Sequence, residues 1–238
     1  MKALARWLLL LLIAACALEL FFIARIALAA TVDPQSTAFQ RSEAWRIATH
    51  KNLRWRQEWV PYARISDNLK RAVIASEDDG FATHDGVDWD AVEKAWQRNA
   101  LAEERAARQA ASRRPPKIVG GSTITQQLAK NLLLSGERTL LRKGQEIVLT
   151  YALESMLSKE RILEIYLNSV EWGEGVFGAE AAARHYFRKS AAQLTAWEAA
   201  RVAVMLPRPK YFEKLPNSAY LAGRASTIAA RMRSAELP

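Results

Sequence analysis

Sulfur and imidazole are scarce in this chain, which has one cysteine, Cys16, and three histidines among 238 residues. A single thiol cannot close an internal disulfide, and no Cys or His cluster has the spacing of a structural zinc site. Crosslinks and structural metal are therefore excluded as the source of the fold. Also missing is any convincing run of alternating apolar and polar residues, the mark of half-buried strands, so the domain should be mainly α. Negative charge is in deficit, with 25 Asp and Glu against 34 Lys and Arg, a net charge of +9. A hydrophobic fraction of 50% with 25% charged residues excludes a disordered chain, and the length suits one domain with an appendage.

The appendage is at the amino terminus. From Trp7 to Ala30 the chain is apolar apart from Glu19 and Arg25. As a helix those residues would span about 36 Å, enough to cross a hydrocarbon core of about 30 Å. Lys2 and Arg6 precede the run, which places the amino terminus in the cytoplasm and the rest outside. Each charge at mid-bilayer costs ~2.5 to 3.5 kcal/mol. Arg25 can snorkel to the outer interface, whereas Glu19 needs a partner or a less central depth. Two other readings place the domain outside as well: a signal-peptidase site at Ala27-Leu28-Ala29, and a lipoprotein box at Ile13-Ala14-Ala15-Cys16. The first thirty residues hold a net +2, so the remainder carries +7.

Residues 31 to 60 read as a polar, Arg-rich juxtamembrane linker or helix bearing Trp45, Trp55 and Trp59, able to rest on anionic headgroups. Ser66-Asp67-Asn68 can cap a short helix through Leu69, Val73 and Ser76, with Gly80 as its stop. A second helix starts at Trp89 and runs into an Ala- and Arg-rich stretch ending in Ser112-Arg113-Arg114-Pro115-Pro116, which has the composition of a solvated flap. Further helices are expected at Ser122 to Leu134, Leu140 to Leu157, Ser158 to Asn168 and Thr195 to Leu206. The segment from Leu140 is apolar on most sides, as a central buried helix would be. Thr195 and Glu198 form a capping-box pattern.

Three features carry chemistry. Leu69, Val73 and Glu77 lie four apart, so Glu77 projects from a core-facing stripe at a helix carboxyl end. Desolvation and the negative end of the macrodipole both favour its protonated form, raising the pKa toward that of a general base; the alternative is a salt-bridged Glu at a helix end. Glu146 shares a stripe with Leu149, Leu153 and Leu157, with Arg142 and Lys143 one turn earlier, a charged cluster at a cleft edge or an ordinary surface ion pair. In the segment from Ser122, Thr123, Gln127, Lys130 and Asn131 share a face opposite Ile124, Leu128 and Leu132. Entered through Gly120-Gly121, this helix suits an anion or a sugar-phosphate, or else is a solvated amphipathic helix.

Five ordered stretches resemble the family-51 peptidoglycan glycosyltransferases. They are Glu77-Asp78-Asp79-Gly80-Phe81 through His84 and Gly86, and Gly121-Ser122-Thr123 through Gln127-Leu128-Ala129-Lys130-Asn131. Next come Arg142-Lys143-Gly144-Gln145-Glu146, then Lys159-Glu160-Arg161 through Tyr166-Leu167-Asn168, and finally Ala199-Ala200-Arg201 through Leu206-Pro207-Arg208-Pro209. With one membrane segment and no room for a transpeptidase domain, the chain is similar to the monofunctional branch of that family. The resemblance implies a lysozyme-like, two-lobed, mainly α glycosyltransferase domain over residues 61–238, after an anchor (1–30) and a linker (31–60). It implies a bacterial inner-membrane enzyme of cell-wall biogenesis that joins lipid II units into β-1,4-linked glycan with inversion, releasing undecaprenyl pyrophosphate.

By the same resemblance Glu77 is the general base and Glu146 assists departure of the pyrophosphate by orienting basic groups or a divalent cation. Lys130, Arg138, Arg142 and Lys143 are cations for that group, and Ser122, Thr123, Gln127 and Asn131 hold sugar and phosphate. Asp78 and His84 brace the first motif, and Phe81 packs. Arg208 stands where related sequences have Asn or Lys, as an extra pyrophosphate contact or simply exposed. Glu171 and Glu174, in a glycine-containing turn, are expected to be solvated. No tightly bound cofactor is expected, although a divalent cation, Mg or Mn, can accompany a pyrophosphate. Expected partners are lipid II, the growing glycan strand, the bilayer, and other cell-wall synthases or division proteins; nucleic acid is disfavoured across the membrane. Two rival classes remain: a lysozyme-like hydrolase or lytic transglycosylase, and a non-catalytic membrane-tethered scaffold.

Overall fold

The computed structural model describes residues 2–50, 54–108, 120–134, 136–137 and 139–238. It is mainly helical. Helix α1 (Lys2–Ala29) is long and apolar enough to cross a membrane, and most of its surface faces outward. Its inner side, Phe22, Ile26 and Ala29, is buried, and α1 packs on α6 (Leu140–Met156). Glu19 finds its partner there, because the Gln145 amide donates to Glu19 Oε1 at 2.5 Å. An otherwise unaffordable carboxylate on an apolar helix is thereby hydrogen-bonded.

Residues 31–60, expected as a juxtamembrane linker or helix, carry packed structure. Helix α2 (Ala38–Thr49) starts with a capping box between Thr37 and Gln40, both buried. It lies against α5 (Ile124–Leu133), and the Gln40 amide reaches Ser169 O at 3.3 Å. Strand β1 (Arg56–Gln57) pairs parallel with β3 (Val176–Phe177), which pairs antiparallel with β2 (Glu171–Gly173). Strands of two and three residues are too short to show alternation in the sequence. Val60 is clamped by Asn168, whose side chain accepts from Val60 N and donates to Val60 O, both at 2.9 Å.

Helix α3 (Asp67–Glu77), capped by Ser66, is central. It packs on α9 (Ala196–Ala203) and α11 (Ala219–Arg231), where Ala72, Ala75, Ala199, Ala200 and Ala203 are all buried. Small side chains allow this close helix approach. The helix ends at Glu77 with Asp78 as its carboxyl cap, three residues before Gly80, the expected stop. Helix α4 (Trp89–Arg108) follows, and the Arg- and Pro-rich stretch after it lies outside the described residues. Helix α5 packs on α6 and on α7 (Lys159–Ser169), then α8 (Ala179–Phe187) and the short α10 (Pro209–Phe212) complete the domain. The Thr195–Glu198 capping box forms as expected.

Helix α6 is not buried on most sides. Glu146, Leu149, Thr150 and Leu153 face the core, while Leu140 and Leu141 are 93% and 87% exposed and Val148 and Tyr151 continue that outward stripe. The contact with α1 through Gln145 lies beside this stripe, so an apolar surface faces outward next to the anchor.

Candidate active site

Glu77 is placed by two helices. As the last residue of α3 it sits at the negative end of that helix, and its carboxylate meets α5, where the Gln127 amide donates to Glu77 Oε2 at 3.1 Å. The orientation of Gln127 is fixed from behind. The buried Tyr166 hydroxyl donates to Gln127 Oε1 at 3.0 Å, so the amide nitrogen must turn toward Glu77. Burial, with Glu77 and Asp78 nearby, pushes the Tyr166 phenol well above its ordinary range, so it remains a donor. Desolvation raises the Glu77 pKa above the usual carboxylate range; the Gln127 and Ser76 hydrogen bonds oppose this and the Asp78 charge adds to it. The sequence read a raised Glu77 from its stripe, but it did not identify Tyr166.

Asp78, buried, ties this helix end to the next motif. Its Oδ2 accepts from Ile124 N at 2.9 Å, the first amide of α5, and its Oδ1 lies 2.8 Å from His84 Nε2. Gly86 N donates to His84 Nδ1 at 3.1 Å, so Nδ1 is the acceptor and Nε2 carries the proton given to Asp78. Phe81 is fully buried, with Lys159 Nζ 4.8 Å from its ring centroid and the His84 ring edge-on to it. Gly86 has φ +87°, and a Cβ there would lie 2.7 Å from Glu154 Cγ, so glycine is required.

Thr123, expected among the ligands, is turned inward. It is buried, its hydroxyl donates to Gly86 O at 2.6 Å and accepts from Gln126 N at 3.1 Å within the capping box, and the residue lines the same cavity as Glu77. Ser122 is exposed and lines a cavity of about 340 Å³ with Glu77, Lys94, Arg98 and Arg231. Lys94 and Arg98 come from α4, which the sequence did not connect with this site. A second cavity, of about 440 Å³, is lined by Gln127, Lys130, Asn131, Arg142, Glu137 and Glu171. The two cavities flank one hydrogen bond, because Gln127 lines the second and bonds Glu77, which lines the first.

Glu146 is only 3% exposed and faces neither cavity. Arg142 Nη1 and Lys143 Nζ hold its two oxygens at 2.8 and 2.5 Å. It holds both cations in place, the orienting arrangement through which the resemblance has Glu146 assist departure of the pyrophosphate. Arg142 lines the second cavity, and its Nε is buried without a protein acceptor. Lys143 is bound to Glu146 and lines neither cavity. Arg208 is exposed, and only its neighbours Leu206, Pro207 and Pro209 line the cavity. Arg138 lies outside the described residues. Among the described residues no group of three or more His, Cys, Asp and Glu side chains converges as a metal site.

A family model described as transglycosylase matches residues 46–233. The chain belongs to the transglycosylase family. A protein named biosynthetic peptidoglycan transglycosylase from Burkholderia orbicola strain MC0-3 is 54% identical over 93% of this chain and 86% of its own length. One of the same name from Burkholderia thailandensis is 54% identical over 93% of this chain and 82% of its own, and one from Burkholderia vietnamiensis is 53% identical over 93% and 86%.

Glu171 and Glu174 differ from expectation, since neither is simply solvated. Glu174 is bound by Arg46, and Lys210 Nζ lies among Glu43 (2.5 Å), Glu171 (3.3 Å) and Glu174 (3.8 Å). Glu171 is 6% exposed. Desolvation pushes its pKa up to about 7, with Lys210 opposing and Glu43 adding to the rise. The folded chain therefore holds this proton where the unfolded chain has lost it, and stability falls as pH rises from the ordinary carboxylate range to about 7. Glu171→Gln removes that loss. Its thermal midpoint should match wild type at pH 4 and exceed it at pH 8, by a stability difference on the order of 2 kcal/mol. Identical midpoints at both pH values would contradict the assignment.

Proposed function

We propose that this transglycosylase of peptidoglycan synthesis polymerises lipid II from the outer face of the bacterial cytoplasmic membrane, held there by α1 with its amino terminus inside. The observation that carries this reading is the pairing of a desolvated carboxylate, Glu77, with a cavity that presents Lys130 and Arg142 beside Glu137 and Glu171, across the single Gln127 hydrogen bond. The acceptor sugar lies on the Glu77 side, and the lipid-linked donor places its pyrophosphate against Lys130 and Arg142. Glu77, ionised, takes the proton of the acceptor 4-hydroxyl as that oxygen attacks the donor anomeric carbon. The bond from that carbon to the phosphate oxygen breaks, and the pyrophosphate leaves with the electron pair. Fixed positive charge from Lys130 and Arg142 offsets the charge developing on it, and Glu146 holds Arg142 in place. Attack opposite an α-linked leaving group yields a β-1,4 linkage, hence inversion.

A glycan hydrolase would release no pyrophosphate and would leave the Lys130 and Arg142 cavity without a task. Full-length protein given purified lipid II should lengthen glycan strands with one polyprenyl diphosphate released per disaccharide added. Shortening of finished glycan without growth would support the hydrolase instead.

A further inference from the structure

Between the end of α1 and the start of α2 the chain passes through residues 31–37, and this turn borders a cavity of about 410 Å³ that shares no lining residue with the Glu77 cavity. Two arginines meet in it. Arg25 Nη2 reaches Ser36 O at 3.5 Å, and Arg41 Nη1 reaches the same oxygen and Ser36 Oγ, both at 3.2 Å. Two guanidinium groups thus share one neutral carbonyl. The carboxylate at this cavity, Asp33, is bound to Arg161 Nη2 at 2.9 Å, and neither Arg25 nor Arg41 makes an ion pair among the described residues. The rest of the lining is largely apolar, including Leu28, Val32 and Leu132.

A neutral acceptor does not offset two converging cations, so the pair is suited to take an anion. Its position specifies which kind. Arg25 is one turn from the end of an apolar helix long enough to span a bilayer, the depth at which hydrocarbon gives way to headgroup phosphate. Arginine matches phosphate oxygens by geometry as well as charge, and apolar walls beside the pair suit the glycerol and first acyl carbons. We propose that the Arg25 and Arg41 cavity binds the headgroup phosphate of an anionic glycerophospholipid in the outer leaflet. The proposal rests on the reading that α1 is a membrane anchor. The bound lipid would fix the turn between α1 and α2 against Leu132 of α5, the helix that carries Lys130 and Asn131.

The test uses the full chain in mild detergent, titrated with phosphatidylglycerol, phosphatidylcholine or inorganic phosphate and read by native mass spectrometry and thermal midpoint. Phosphatidylglycerol should bind and raise the midpoint at least tenfold more effectively than phosphatidylcholine. The Arg25→Gln/Arg41→Gln protein should lose that preference, and Arg41→Gln alone, which leaves α1 unaltered, should weaken it severalfold. Unchanged selectivity in both variants would overturn the site, and an equal response to inorganic phosphate would make it a free-anion site. Alkaline carbonate extraction of the wild-type protein from membranes would instead refute the anchor reading. Retention in the membrane with unselective lipid binding would refute only the site.

Discussion

Glu77→Gln is expected to lower the rate of glycan polymerisation by about 10²- to 10⁴-fold, the range a positioned general base supplies, while leaving the fold intact. Glutamine has the shape of glutamic acid and its carbonyl oxygen can still accept from Gln127 Nε2, so the link between α3 and α5 survives. It cannot take the acceptor proton. Because desolvation already disfavours the ionised form of Glu77, the neutral variant should melt no lower than wild type at neutral pH. The same shift sets the sign of the pH dependence. Activity requires the ionised carboxylate, so the wild-type rate should fall on the acid side, at a pH above the ordinary carboxylate range. A Glu77→Gln protein that is inactive because it is unfolded would not meet this expectation, and circular dichroism with a thermal melt separates the two causes.

Asp78→Ala is expected to do the opposite, removing stability and activity together. It leaves the Ile124 amide at the start of α5 and the His84 Nε2 proton without acceptors in a buried region. Orphaned buried donors cost about 1 to 3 kcal/mol each, so a loss of roughly 2 to 4 kcal/mol is expected in denaturant unfolding. The α3 end and the α5 start are then free to separate, which misaligns Glu77 with Gln127 and lowers turnover. Asp78→Asn keeps one side-chain oxygen as acceptor and should recover part of the stability. Equal losses in the alanine and asparagine variants would mean that charge, not the two hydrogen bonds, is what the position supplies.

What the sequence disclosed follows from how local each signal is. The Leu69, Val73 and Glu77 stripe lies within one helix, so the place of Glu77 was readable, and so was the burial of Glu146 beside Leu149 and Leu153. Thr123 and Gln126 have the three-residue spacing of a capping box, so the inward bonding of the Thr123 hydroxyl is also a local signal. Glu171 had no local signal. Its turn looks solvated, and its burial is produced by Lys210 and Glu43 from segments far apart in the chain. The outer face of α6 was legible as apolar but not as exposed, since periodicity does not distinguish a protein core from a membrane-facing surface. Tyr166, which orients Gln127, was visible only once α5 and α7 were packed together.

The most direct test of the central claim is a side-by-side assay of purified full-length wild type and Glu77→Gln with lipid II, products resolved by strand length. The account predicts long glycan strands from the wild type and none from a variant that melts at the wild-type temperature or above. Strands of equal length formed at equal rates by both proteins would contradict it.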